Sequence, residues 1–411
     1  MVSNKVKIGI LCMSILSMSG LVITSAFSAI IAAFPGEPIS KIQMIATIPS
    51  LGALITTLFI GVLATKIPKK ILALLGIFAV GLGGLLPIVF HGSINALLVC
   101  SLIMGIGLGF IATINPMLLS IYFEGEERAS LMGKGTAVTS LGAIILMMGG
   151  GFLGSQNWSN TYYIFLITIL IFFLVMLFLP LDKIEKDFTA GHDGKKMNLM
   201  ETMGNMNKYV FLISILAFIM SFIYTVYPTN LSIVVSGKGI GGTSTTGIIN
   251  AVGTVGGFLA GMNLKYINRA VKDKILGIGF LFLASTFILV LLFDSVFIML
   301  LGAILSGLAM VMIMSTIPYY VSVVVRPFEL AIAMSIFTFM NSLGGIISPM
   351  VLSWLGISFG NQAFLFAGIA SAVIGIVCLA AQIGKRVFAN SYQANQTNEA
   401  VLAKVDADNF A

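Results

Sequence analysis

The residues of this chain that could act on a small molecule are amides, phenols and hydroxyls set into long apolar runs. Asn115, Asn250 and Asn341 are candidate amides among them, and Tyr224, Tyr227 and Tyr319 candidate phenols. Helical spacing groups several of them on single faces. Ser17, Thr24 and Ser28 stand at i, i+7 and i+11, and Ser221, Tyr224 and Pro228 at i, i+3 and i+7. Ser315, Tyr319 and Ser322 form a third set, and Asn250 with Thr254 and Thr338 with Asn341 are one turn apart. Such groups bind by reversible hydrogen bonding and make or break no covalent bond. Ser and Thr hydroxyls at these positions serve equally well as polar packing between helices. Pro116, Pro228 and Pro318 lie in the same runs; each can free backbone carbonyls for a ligand or act as a packing kink.

Chemistry of other kinds lacks its residues. His91 and His192 are far apart, and Cys12, Cys100 and Cys378 form no C-x-x-C pair, so neither a metal site nor a cofactor is expected. No G-x-x-x-x-G-K-[ST] loop is present to hold a nucleotide triphosphate. No nucleophile–base constellation suggests an enzyme. All fifteen Asp and Glu residues fall between or beyond the apolar runs. The nearest to a run is Glu37, in Phe34-Pro35-Gly36-Glu37-Pro38. Moving a proton through a membrane needs a buried titratable group. Proton coupling is therefore expected to be weak, or to run through Glu37 alone. A lining without charge suits neutral, aromatic or amphipathic solutes.

The elements that must position these groups follow from composition. Of the 411 residues 58% are hydrophobic and 9% charged, against about 25% charged in a soluble domain, so lipid is the solvent. Apolar runs fall at about 8–33, 42–65, 71–90, 95–122, 133–154, 161–180, 209–233, 245–264, 275–293, 296–322, 330–356 and 362–384. A spanning helix needs about 20 such residues. The expectation is an all-α integral membrane protein of twelve transmembrane helices in two pseudo-symmetric six-helix bundles. The bundles are expected at 1–180 and 209–384, joined by a central loop at 181–208 and followed by a disordered tail at 385–411. The first run is too long for a signal-peptide core and is read as an uncleaved helix. Every Lys and Arg except Lys41 and Lys238 falls on one side of this topology. That asymmetry puts both termini and the central loop in the cytoplasm of a bacterial cell, with the helices in its cytoplasmic membrane. It also explains the net charge of +7 without nucleic acid.

The halves repeat. A gapless shift of 202 positions aligns Gly105 with Gly307, Pro116 with Pro318, Glu127 with Glu329 and Thr136 with Thr338, and Ser140-Leu141-Gly142 with Ser342-Leu343-Gly344. Parallel six-helix repeats with a midplane site between them are a transporter architecture.

These features resemble the major facilitator superfamily over nearly the whole chain. The family's loop between helices 2 and 3, roughly G-x-L-a-D-r-x-G-r-K, matches Gly61-Val62-Leu63-Ala64-Thr65-Lys66-Ile67-Pro68-Lys69-Lys70 in its Gly, Leu and basic residues. Thr65 replaces the family's Asp and Pro68 its second Gly. Gly61, Lys66, Lys69 and Lys70 are thus the candidate gate loop, without the carboxylate that latches it in the family. Helix 4 keeps Gly105 and Gly107 of the family's R-x-x-x-G-x-G, with Ser101 for its Arg. Helix 5 keeps Gly142 and Gly149-Gly150-Gly151 of a glycine-rich antiporter stretch, with Met147 about where its Pro would be.

The family layout implies that helices 1, 4, 7 and 10 face a cavity and that 3, 6, 9 and 12 lie outside. The candidate substrate contacts are then Thr24, Ser28, Asn115, Tyr224, Tyr227, Asn250, Ser315, Tyr319, Thr338 and Asn341. The resemblance implies a monomeric secondary transporter of a small organic solute working by alternating access, with export favoured. The alternatives are an uncoupled facilitator or uptake permease of the same fold, and a non-transporting membrane receptor.

Overall fold

The computed structural model describes residues 4–64, 66–123, 125–181, 206–325, 330–357 and 359–390. Most of the expected central loop and the tail beyond residue 390 lie outside them. The described residues are helical, and the helices fall where the apolar runs do. They are α1 (Asn4–Ala33), α2 (Ile39–Ala64), α3 (Lys69–Ile88), α4 (Ile94–Tyr122), α5 (Gly125–Leu153) and α6 (Trp158–Phe178). After the central segment come α7 (Lys208–Gly237), α8 (Thr243–Met262), α9 (Ile275–Leu292), α10 (Val296–Val324), α11 (Leu330–Trp354) and α12 (Asn361–Ala380). In hydrocarbon a backbone has no water to bond, which leaves the helix as the available form. Eleven of these segments are long and apolar enough to span a membrane; the apolar part of α5 is the shorter stretch Ala137–Leu153.

Helix ends are closed locally. Asn207 accepts the Tyr209 N–H at the start of α7 (3.1 Å), and Asn157 accepts that of Ser159 at the start of α6 (3.1 Å). At the ends of α7 and α11, Gly239 and Gly356 take φ of 66° and 68°, and Ile240 and Ile357 donate back to the Val235 and Leu352 carbonyls. The prolines Pro49, Pro116, Pro228, Pro318 and Pro349 sit inside helices that continue through them. The longest 3-10 stretch is in α1, which has no internal proline and winds so over Ser14–Ala26; α6 also starts as 3-10, over Trp158–Leu166.

Two separate apolar cores exist, one drawn from Val6–Leu179 and one from Met206–Val387. Each is a bundle of six helices. The repeat seen in sequence reappears as equivalent close packing. A Cβ on Gly105 of α4 would collide with the Pro49 backbone of α2, and one on Gly307 of α10 with the Gly253 carbonyl of α8. Likewise Gly142 of α5 meets the Ile15 backbone of α1, and Gly344 of α11 meets that of Phe218 in α7. Small residues let helix backbones approach where lipid offers no hydrophobic drive. Apolar side chains on α3, α6 and α12, such as Phe78, Leu177 and Ile376, point outward as lipid faces do.

Two differences from the expected boundaries concern the C-terminal end. The last span stops at Ala380, and Ile383–Ala389 forms a short helix, α13, where the tail was expected to be disordered. A short amphipathic helix, Leu264–Val271, also precedes α9.

Gly307→Val drives two methyls into the α8 backbone. It is expected to cost about 1–3 kcal/mol, read as loss of monodisperse protein and a lower thermal midpoint in detergent. Gly36→Ala, where nothing lies within 4 Å of the new atom, should match the parent.

Candidate functional site

The described polar contacts between the two bundles gather at the end of the molecule away from the chain termini. Ser232 of α7 is their centre. Its hydroxyl accepts the Ser28 N–H of α1 (3.1 Å), donates to the Ser25 carbonyl (2.9 Å) and lies 2.9 Å from the Ser28 hydroxyl. Asn250 of α8 donates to the Thr24 hydroxyl (3.3 Å). Gln43 of α2, fully buried, donates through Nε2 to the Thr229 carbonyl (3.0 Å). Ser244 donates to the Gly151 carbonyl (3.3 Å), beside a crossing where a Cβ on Gly151 would stand 3.0 Å from the Gly247 Cα. Deepest toward the middle, the Thr254 hydroxyl meets the Met147 sulfur at 3.8 Å.

The 3-10 winding of α1 helps to build this seam. Thr24 and Ser25 donate their hydroxyls three residues back, to Leu21 and Val22. The described groups that bridge the bundles in this seam are all uncharged. At the opposite end no hydrogen bond between described residues joins the bundles.

The expected site residues divide among several places. Thr24, Ser28 and Asn250 lie in the seam. Asn115 donates to Ser14 of α1 (2.7 Å) within its own bundle, and its side-chain oxygen is buried with no partner among the described residues. Asn341, half-buried on α11, likewise has an unpartnered oxygen. Tyr224 is half-buried and packs on the C-terminal core. The hydroxyls of Ser315 and Thr338 return to the Val311 and Met334 carbonyls (2.6 and 2.8 Å) of their own helices.

Two residues sit away from the space between the bundles. Tyr227 is buried in the C-terminal core, stacked on Phe364 (5.9 Å) and edge-on to Phe287 (6.2 Å). Tyr319 lies at the terminus end of α10 against Phe388 of α13 (6.3 Å). Of the gate loop, Gly61 lies in α2, Lys66 is exposed, Lys70 half-buried and Lys69 buried at the first turn of α3.

The carboxylate expected nearest a span is paired locally. Glu37 accepts from Lys41 one turn on (2.9 Å), outside the seam. Lys238, the other basic residue on that side, donates to the Val290 and Leu291 carbonyls (2.8 and 2.9 Å) at the end of α9 and pairs with Asp294 (2.6 Å). Among the described residues no group of His, Cys, Asp or Glu could hold a metal ion.

Sequence reasoning missed Ser232, Gln43 and Ser244. A buried glutamine in an apolar run was a usable signal; nothing marked Ser232 apart from other span serines.

The family model of the Major Facilitator Superfamily matches residues 9–273. The chain belongs to the major facilitator superfamily. It is thus a multi-pass membrane protein and a secondary transporter of small molecules. Its structure is similar to a bacterial homologue of the human lysosomal transporter Spinster, in an inward-facing and unoccupied conformation. That likeness has a TM-score of 0.71 at 15% identity and covers 94% of this chain and 97% of that one. It is also similar to the nucleoside transporter NupG, with a TM-score of 0.74 at 13% identity over 92% and 98% of the two chains. At these identities the likeness carries the fold. No curated protein matches the sequence.

Ser232→Ala in this superfamily member removes the centre of the seam. Hydrogen bonds between membrane helices are worth about 0.6 kcal/mol each. Losing two or three should shift the seam's opening equilibrium by roughly five- to twentyfold. The readout is faster alkylation of a cysteine placed at Thr24 in a background without the native cysteines.

Proposed function

We propose that this chain carries a small neutral or amphipathic organic solute across a bacterial cytoplasmic membrane by alternating access, with export favoured over uptake. One observation carries this reading: the described polar contacts between the bundles lie at one end, and they are weak. Six uncharged hydrogen bonds and one contact to sulfur sum to about 4 kcal/mol. Such a difference leaves both states populated and lets a ligand shift the balance. With the termini in the cytoplasm, the seam would lie at the outer end, as an inward-open state requires. The 3-10 segment of α1, which holds Thr24 and Ser25 in the seam, is the natural place for α1 to change its winding. The glycine-rich stretch of α5 supports export, because it resembles that of antiporters.

The lining expected between the bundles is amide and hydroxyl. Asn115 and Asn341 each offer a buried oxygen without a partner among the described residues, one from each bundle. Buried acceptors of this kind call for a donor. A solute with N–H or O–H groups and no net charge supplies one, and a nucleoside, the substrate class named for NupG, has that chemistry.

A specific observation favours an uncoupled form of this carrier. Glu37 already holds Lys41, and no acidic residue lies within an apolar run. Glu37→Gln should then leave flux within about twofold of the parent and leave its response to an imposed pH gradient unchanged. Accumulation driven by a proton gradient and lost in Glu37→Gln would return the coupling role to that residue.

The test of alternating access uses Ser28→Cys with Ser232→Cys, on a chain freed of its native cysteines. Proteoliposomes are loaded with a panel of nucleosides, and efflux is followed. Oxidation should cross-link the pair and stop efflux, and a reductant should restore it. Undiminished efflux from fully cross-linked protein would contradict the proposal.

A further inference from the structure

A cavity of about 570 Å³ lies at the terminus end of the C-terminal bundle, away from the seam. It is walled by Lys272 and Asp273 before α9, Tyr319 and Tyr320 of α10, and Lys385 and Phe388 of α13. The transport reading uses none of these as a bundle-to-bundle contact.

Three features of this place point to a ligand. The first is charge. Lys272 and Lys385 line the cavity, Arg269, Lys274 and Arg386 stand exposed within three residues of them in sequence, and no described residue pairs with any of the five; Asp273 is the acid in the lining. Clusters of four or more basic residues at the end of a span attract phosphate-bearing groups at the membrane surface.

The second is a buried donor without an acceptor. Tyr320 is 2% exposed, lines the cavity, and its hydroxyl has no hydrogen-bond partner among the described residues. A buried phenol normally finds a partner.

The third is the frame. Phe388 packs edge-on against Tyr320 (5.5 Å) and holds α13 over the cavity. Asn207 ties the end of α13 to α7 and α10 by donating to the Asn390 and Val324 carbonyls (3.2 and 3.3 Å). Lys272 is held at φ 52° in the tight turn that aims the chain into α9. The half-exposed ring of Tyr319 and the exposed ring of Phe388 give the cavity an apolar wall.

We propose that this cavity binds a phosphate group, carried on an anionic lipid headgroup or on a small soluble phosphate ester. Lys272 and Lys385 supply the charge, the Tyr320 hydroxyl donates to a phosphate oxygen, and Tyr319 and Phe388 cover the carbon next to it. Asp273 opposes the same anion and limits the affinity.

The experiment follows the thermal midpoint of the full chain in a neutral detergent. Phosphatidylglycerol, phosphatidylcholine and glycerol 3-phosphate are titrated separately. A saturable rise with phosphatidylglycerol assigns the lipid source, and a rise with glycerol 3-phosphate assigns the soluble one. In either case Lys272→Gln with Lys385→Gln should weaken binding roughly thirtyfold, and Tyr320→Phe roughly tenfold. Asp273→Asn should tighten it. Four results would each overturn the proposal: no rise with either phosphate, an equal rise with phosphatidylcholine, a rise unchanged in the double lysine variant, or weaker binding in Asp273→Asn.

Discussion

Helix backbones in this protein approach until a neighbour's carbonyl stands where a methyl would be. Gly105 against Pro49 and Gly307 against Gly253 are the pair that recur in the two bundles. The constraint comes from the solvent. Lipid tails are as apolar as leucine, so helices gain little by hiding side chains from them and gain instead by dispersion at short range. Each bundle is therefore knitted through glycines, and its apolar core is closed on itself. One helix can serve several neighbours this way. On α5, Gly142 meets α1, Gly149 meets Ile164 of α6, and Gly151 meets α8 of the other bundle.

The join between bundles is of another kind. Where α5 meets α8, α1 meets α7 and α8, and α2 meets α7, the bonding side chains are serine, threonine, asparagine and glutamine, and none is ionised. A buried ion pair there would be hard to break, since parting it strands a charge in low dielectric. Hydroxyls and amides part at small cost and can bond within their own helix or to water afterwards. Close packing inside each bundle with weak polar bonding between bundles is what rigid-body rocking requires. The superfamily's acidic latch at the gate loop is absent here, with Thr65 in its place.

Much of the fold could be read from the sequence, because it rests on length and hydropathy. The helix ends lie within a few residues of the apolar runs for most spans, and the repeat was visible as Gly105 with Gly307 and Gly142 with Gly344. The site was less legible. Helical spacing tells which residues share a face but not what that face meets. Tyr224 and Tyr227 are one turn apart, yet Tyr227 stacks on Phe364 in the core, a partner far along the chain. Tyr319 falls beside α13, a helix hidden in what read as a polar tail. Ser232 could not be told from other span serines, since its role depends on the register of α7 against a 3-10 stretch of α1 that no proline announces.

The central claim is that the bundles move as bodies about a seam that opens while the other end closes. Paired spin labels in proteoliposomes measure this directly. Gln156→Cys with Ser236→Cys reports the seam end, and Lys66→Cys with Lys274→Cys reports the terminus end, each read by dipolar distance in the parent and in a seam-weakened background. The account predicts that weakening the seam lengthens the first distance and shortens the second in the same proportion of molecules. Distances that stay fixed, or that lengthen together, would contradict it.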